Sequence, residues 1–343
     1  MDLPSPTREK RSLTVPDLGA SALQKRLFER APELPRLAPC TVEVLCNLDS
    51  AHLEPAHWLR IAEAVRRAEK RGEGVVLLHG TDTMAYTAAA LSFLLPRLRV
   101  PVILTGAQRP LAAIRNDALS NLLTAVELAA SPRPNASLLQ VSLLFGDVLL
   151  QGNRARKRSA AEFDAFESPQ APPLAMVGTE VRFVGSGGSR ARSLKPLKSF
   201  KGLLPAFDTR VALLHLTPGF PARIVRERLL PEIRGLVLVA FASGTAPTQD
   251  PEFLALLGAA RKQGKPVVVT TEGASRAPLE APEGLAAYAA GQRMLQEGVL
   301  WAGAMTPECA WVKACWGLAQ PKFSLSRFKS FWSVSFAEEG VAV

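Results

Sequence analysis

The sequence predicts an α/β fold with parallel sheets, divided into a larger N-terminal and a smaller C-terminal domain. Three observations carry that expectation. Short apolar runs recur, each followed by a polar loop and then a stretch with helical spacing. Several runs are apolar at every position, as strands buried on both faces are. The alternation is interrupted once, by a basic, glycine-containing segment past the middle of the chain.

Along the chain, residues 41–46 alternate and read as a strand. Pro55 suits the first position of a helix, and Trp58, Ile61, Ala62 and Val65 then fall on one helical face. Residues 75–78 and 100–104 read as buried strands, 86–95 and 116–130 as helices. Residues 138–145 and 148–151 flank Gly146-Asp147, which suggests a hairpin. Beyond the interruption, residues 211–216, 235–241, 266–270 and 299–301 read as strands, and 222–230, 252–262 and 284–296 as helices. Thr306-Pro307-Glu308 opens a helix that runs to 318. Residues 323–343 show no clear period. The chain therefore divides into an N-terminal domain (1–185), a basic linker (186–208), a C-terminal α/β domain (209–322) and a tail (323–343).

Composition narrows the function. With 48% apolar and 21% charged residues, the chain has the material for a globular core, which excludes a disordered polymer. No uninterrupted apolar run approaches the ~18 residues of a membrane span, and the first residues lack the apolar stretch of a signal peptide. Four cysteines are too few for a disulfide scaffold at this length, so a reducing cytoplasm is expected. The net charge of +10 invites a nucleic-acid partner. However, Arg190, Arg192, Lys195, Lys198 and Lys201 sit in the linker with no acid among them, and without them the excess is +5. These charges read as a solvated linker, and neither a nucleic-acid nor a membrane partner is expected.

Ligands of open α/β sheets bind beyond the carboxyl ends of the strands. The loops there are Asn47-Leu48-Asp49-Ser50, His79-Gly80-Thr81-Asp82-Thr83-Met84, Thr105-Gly106-Ala107-Gln108-Arg109-Pro110 and Ala242-Ser243-Gly244-Thr245. They are rich in Gly, Ser, Thr and Asp, and no glycine-rich nucleotide motif is present. Thr81-Asp82 carries the most chemistry. A threonine hydroxyl becomes a nucleophile once a base takes its proton, and a carboxylate with a lysine could form that relay. The carboxylate could equally bind a substrate ammonium, and the N-terminus of the next helix offers N–H groups to an anion. Together these suit a small zwitterion such as an amino acid. The plainer alternative is that Asp82 or Thr83 merely caps that helix. Cys40/Cys46 and Cys309/Cys315 are each separated by five residues with no histidine pair nearby, which reads as core packing and not as a zinc site. His52, His57 and His215 read as structural or exposed, and His79 as a hydrogen-bonded orienter. Glu308 reads first as a helix-N-terminal carboxylate.

The stretch from His79 to Ala88 resembles the second signature of bacterial-type L-asparaginases. The likeness continues through Leu91-Ser92-Phe93, Pro101 to Gln108, Asn121-Leu122-Leu123, Gly152-Asn153-Arg154 with Lys157, and Phe163 to Pro169. Asp49-Ser50 with Glu54-Pro55 and Trp58 is similar too. So are Leu216-Thr217-Pro218-Gly219, Ser243-Gly244 with Ala246-Pro247, and Met305-Thr306-Pro307-Glu308 in the second domain. The resemblance spans about residues 10 to 320.

It implies a two-domain asparaginase-like fold and hydrolysis of the side-chain amide of L-asparagine, in some members also of L-glutamine, to the acid and ammonia. The reaction would run through a threonine acyl-enzyme, with neither metal nor cofactor. By motif position Thr81, Asp82 and Lys157 resemble the relay. Ser50 resembles the residue that holds the substrate α-carboxylate, and Asp82 also takes the α-ammonium. Gly80 and Ala107 line the substrate, the Ala107 carbonyl meeting the leaving amide. A homodimer or homotetramer is implied, with Thr245 and Glu308 as candidates contributed across the interface. A cytoplasmic amidohydrolase is therefore the main expectation. A catalytically inactive binder of asparagine, aspartate or a partner is the alternative, and the ammonia-releasing subunit of a tRNA-dependent amidotransferase is a further one.

The sequence departs from the family in one respect that matters. The family's first signature, Thr-Gly-Gly-Thr-Ile at the end of a first strand, is not found here. Residues 3–17 resemble the segment immediately after that signature in relatives, so Met1 is expected to be an internal methionine of a longer reading frame.

Overall fold

The computed structural model describes residues 20–184, 202–272 and 288–339. Its N-terminal lobe opens with helices α1 (Ala20–Arg30), α2 (Leu34–Leu37) and α3 (Pro55–Arg71). The chain then alternates: β1 (Val75–Leu78), α4 (Met84–Leu94), β2 (Val102–Thr105), α5 (Ala118–Ala129), β3 (Val141–Phe145), β4 (Val148–Gln151). Four short strands come next: β5 (Arg156–Lys157), β6 (Phe166–Glu167), β7 (Ala175–Val177) and β8 (Val181–Phe183). The main sheet has the order β1-β2-β3-β4-β7-β8. Its first three strands are parallel, and the rest join antiparallel. β5 and β6 form a separate hairpin.

Strand alternation sorts the core. Val102 and Leu104 pack with Ile61 and Val65 of α3 and Met84, Ala88 and Leu91 of α4, whereas Ile103 faces Ala125 and Leu128 of α5. A sheet covered on both faces must be apolar at successive positions, which is why these strands were legible as uninterrupted runs.

The C-terminal lobe is a four-stranded parallel sheet, order β12-β11-β10-β9, built from β9 (Val211–His215), β10 (Gly235–Ala240), β11 (Val267–Thr271) and β12 (Leu300–Trp301). Its helices are α6 (Ala222–Ile224), which continues through irregular turns to 232, α7 (Pro251–Lys262), α8 (Ala289–Gln296), α9 (Pro307–Leu318) and α10 (Leu325–Trp332). α9 packs against α4, so Ala89, Ala90 and Phe93 share one core with Val312, Cys315 and Trp316. The two lobes therefore meet through helices, with Phe93 stacked on Trp316 at 5.4 Å.

Several expectations are corrected. Residues 41–46 form no strand. A strand needs a ladder partner, and here the segment is held by side chains instead: Arg60 donates to the Leu45 carbonyl and Arg67 pairs with Glu43 at 2.7 Å. The end of the linker packs on the body of the protein, with Leu203 and Phe207 against the core shared by the two lobes and Phe207 meeting Trp58 edge-on at 5.2 Å. The charged part of the linker, 186–201, lies outside the described residues, as do 284–287 of the predicted helix. The tail contains α10, capped by the Ser324 side chain and burying Phe328, Phe331 and Trp332. Cys309 and Cys315 are buried as expected, but Cys46 is exposed and Cys40 half-buried. Among the described residues no helix is long and apolar enough to cross a membrane.

Candidate active site

β1 and β2 are parallel neighbours, so the loops leaving their carboxyl ends lie side by side. They touch at the backbone. A Cβ on Gly106 would sit 2.3 Å from the His79 carbonyl oxygen, so no larger residue fits. The third loop reaches the pair from before α3. Asp49 caps the turn Ser50–His52 by accepting from the Ala51 N–H. The buried Ser50 lies against Gly80, where a Cβ would come within 2.8 Å of both its Cβ and its Oγ.

In this arrangement the side chains of the motif have partners other than the N-terminus of α4. Thr83 stands at the N-cap of α4 but makes no side-chain cap bond, because its Oγ1 donates to the Ser50 carbonyl at 2.7 Å. The Asp82 carboxylate turns to Lys157, 2.7 Å away. The same Lys157 ammonium donates to Thr81 Oγ1 at 2.7 Å, and that hydroxyl donates in turn toward Gln108 Oε1 at 3.4 Å. Thr81, Asp82 and Lys157 are thus brought into one cluster from loops 76 and 75 residues apart in the chain. The Lys157 side chain is 17% exposed and that of Asp82 65%.

Each member has a support. Lys157 sits on β5, paired with Phe166 of β6. Gln108 holds the tip of that hairpin by donating from Nε2 to the Ser159 and Glu162 carbonyls. Asp117 accepts from the backbone N–H groups of Gln108 and Arg109, each at 2.9 Å. Asn121 donates to the Gly106 carbonyl and accepts from Gly146 N–H. The Ala107 carbonyl is therefore fixed from both sides. Asp117 and Asn121 stand four apart on the helix after the loop, a spacing that could have marked them in the sequence.

His79 is the orienter it was expected to be. Trp58 Nε1–H donates to Thr87 Oγ1, whose hydroxyl is then free to donate to His79 Nε2 at 2.9 Å. The Gly80 carbonyl only accepts, so His79 Nδ1 carries the proton, at 2.6 Å. Burial pushes the imidazole pKa down, which keeps the ring neutral in this role. The turn before Thr81 is thereby pinned.

Among the described residues, neither second-domain candidate is hydrogen-bonded or ion-paired to Thr81, Asp82 or Lys157. Thr245 is half-buried beyond β10, its carbonyl accepting from Phe241 N–H. Glu308 is mostly buried, 3.9 Å from Arg156 across the seam between the lobes. Burial raises its pKa. It also helps, after burial itself, to push Tyr86 up to about 12. Arg156, next to Lys157, pairs with Glu272 at 2.9 Å, and Glu272 meets His215 at 3.3 Å. Among the described residues no cluster of His, Cys, Asp and Glu could hold a metal ion.

Chemically, the cluster offers a hydroxyl flanked by an ammonium and a carboxylate. A neutral Lys157 amine can take the Thr81 proton, and a charged one stabilises negative charge developing on Oγ1. The solvent-facing Asp82 can meet a ligand cation. A two-domain α/β architecture with a Thr-Asp-Lys cluster at the carboxyl ends of a parallel sheet defines the class of the protein. Residues 9–186 match the family model "Asparaginase, N-terminal" and residues 210–330 the "Glutaminase/Asparaginase C-terminal domain". The chain belongs to the asparaginase family.

Among its relatives is L-asparaginase 1 of Escherichia coli K12, 36% identical over 276 residues, covering 80% of this chain and 76% of that protein. The mouse 60 kDa lysophospholipase is 34% identical over 93% of this chain but only 57% of its own length. The chain spans 46% of the human protein of the same name. The thermostable L-asparaginase from Thermococcus kodakarensis superposes with a TM-score of 0.77 at 30% identity, covering 93% of this chain and 92% of that one.

Proposed function

We propose that the protein hydrolyses the side-chain amide of L-asparagine to L-aspartate and ammonia through an acyl-enzyme on Thr81. The observation that carries this reading is Lys157 Nζ, at 2.7 Å from both Thr81 Oγ1 and Asp82 Oδ1. In the proposed reaction Lys157, in its neutral amine form, takes the Thr81 proton as Oγ1 attacks the amide carbonyl, and returns it to the amide nitrogen as the C–N bond breaks. Ammonia leaves beside the Ala107 carbonyl, and water releases aspartate. Ser50 takes the substrate α-carboxylate and Asp82 its α-ammonium, while Gly80 leaves room for both. The E. coli relative's name supports the reaction. Assembly as a homodimer or homotetramer belongs to the same proposal, with Thr245 and Glu308 as candidates contributed across the interface.

The test is ammonia release from asparagine by the wild-type chain and by Thr81→Ala, Asp82→Ala and Lys157→Ala. Each substitution should lower turnover at least ~10²-fold, the scale of losing an activating base or its partner. Near-wild-type turnover by Thr81→Ala would overturn the nucleophile assignment. Aspartate binding without any turnover by the wild type would favour a non-catalytic binder. Fatty-acid release from a lysophospholipid, with none of ammonia, would favour the activity named in the mouse relative.

A further inference from the structure

The tail shows no period in the sequence, yet residues 335–339 are held by a buried ion pair and a set of hydrogen bonds. Glu339 and Lys313 are both fully buried, and their side chains meet at 2.6 Å. Lys313 also donates to the Trp332 and Val334 carbonyls, at 3.1 and 2.8 Å, so each ammonium proton has an acceptor. Glu339 further accepts from the backbone N–H groups of Phe336 and Ala337 and from the Ser335 hydroxyl. A buried carboxylate and a buried ammonium persist only when so fully satisfied. The pair folds the segment 335–339 back on itself, with Glu338 in the left-handed region at φ 57°.

This fold turns two carbonyls outward onto the other lobe. Ala337 O accepts from Gln151 Nε2 at 3.0 Å and from Asn153 Nδ2 at 2.7 Å. Glu338 O accepts from Arg154 Nε and Nη2 at 3.1 and 2.8 Å. Residues 151–154 are the turn that delivers the chain from β4 into β5, three residues before Lys157. We infer that the Lys313–Glu339 pair and the folded segment 335–339 form a positioning latch that holds the 151–154 turn, and with it β5 and the Lys157 ammonium, against Thr81 and Asp82. Glu339 is a positioning residue, remote from the reacting atoms. This goes beyond the proposed hydrolysis and rests on it only in calling Lys157 catalytic.

The test reads Lys157 directly and does not depend on turnover. Surface and site lysines of the full chain are labelled with trace acetic anhydride and quantified by mass spectrometry. Two variants are compared with wild type: Glu339→Gln, which sets an amide among donors that need an acceptor, and a chain ending at Val334. Lys265, whose ammonium donates to the Leu230 carbonyl in the C-terminal lobe, serves as the reference. The latch requires Lys157 labelling to rise about tenfold or more in both variants while Lys265 stays at its wild-type rate, the signature of a local opening. Unchanged Lys157 labelling in a folded variant overturns the proposal. A parallel rise at Lys157 and Lys265 overturns it too, because the tail would then only contribute general stability. If wild type releases no ammonia, the hydrolytic reading fails while the labelling result still stands.

Discussion

Gly80→Ala is a small change with a specific expected consequence. The added methyl would lie 2.8 Å from the Cβ and Oγ of Ser50 and 3.3 Å from its backbone nitrogen. Carbon atoms in contact prefer at least ~3.5 Å, so the methyl is short by about 0.7 Å. Ser50 has little room to yield. Its carbonyl accepts from Thr83 Oγ1 and from Leu53 N–H, and the preceding Asp49 caps the same turn. Overpacking of this kind costs about 1–3 kcal/mol, which the fold should tolerate. The larger effect is on binding. Moving the Ser50 hydroxyl off a substrate carboxylate forfeits a charge-assisted hydrogen bond of about 1.5–3 kcal/mol, hence a rise in KM of about 10- to 150-fold. Because the Thr81–Lys157 contact is left in place, kcat should fall less than KM rises. Steady-state ammonia release gives both constants, and calorimetric titration with aspartate gives the binding loss independently. A KM and an aspartate Kd both within about threefold of wild type, in a folded protein, would refute the placement of Ser50 as the carboxylate anchor.

Two further predictions concern stability. Asp208 accepts from Arg210 first and also from Arg234, and these partners hold its carboxyl down to about 2. The folded chain therefore keeps this group ionised to lower pH than the unfolded chain does. Its stabilisation is complete above about pH 4 and is lost as pH falls from there toward 2. Asp208→Asn should be less stable than wild type in urea at pH 7, with the gap closing below about pH 2; a gap that persists there would contradict the ion-pair account. Glu308 behaves in the opposite sense. Burial raises its pKa, and its Oε2 has no partner. The folded state holds the proton to higher pH than the unfolded state, so wild type loses stability as pH rises through that window. Glu308→Gln should melt at or above the wild-type temperature at pH 8, with no such advantage at pH 4. A clear destabilisation at pH 8 would show that the charge on Glu308 is needed opposite Arg156.

Much of this molecule was legible before its structure, for identifiable reasons. β2, β10 and β11 are buried on both faces, so their apolar runs have no other use, whereas β1 is a half-buried edge strand whose Val75 and Leu77 face one core and Val76 the other. The loops at their ends carried the Thr81-Asp82 motif, and Gly106 is required there by backbone contact alone. What escaped depends on partners distant in sequence. Residues 41–46 alternate like a strand, but alternation does not create a ladder partner. β5 to β8 are two or three residues long and exist only because other segments pair with them. α10 did leave a trace, a capping Ser324 and then Phe328, Phe331 and Trp332 at helical spacing. Nothing at residue 339 announces a partner 26 positions earlier.

The helix beneath the site carries a consequence for anyone wishing to redesign it. Ala85, Ala88, Ala89 and Ala90 of α4 are all at most 3% exposed, and a Cβ on Gly152 would come within 3.3 Å of that of Ala88. Small side chains let this helix run at close range between the N-terminal sheet on one side and α9 on the other. Enlarging any of them would shift the very turn that presents Thr81, so the helix offers no tolerant positions for tuning. Variation has to come from the rim: the exposed 109–115 loop, where Ile114 stands free of the body of the protein, and the tip of the 156–167 hairpin. A library confined to those two segments would explore new amide substrates while leaving the alanine seam, and the geometry it enforces, untouched.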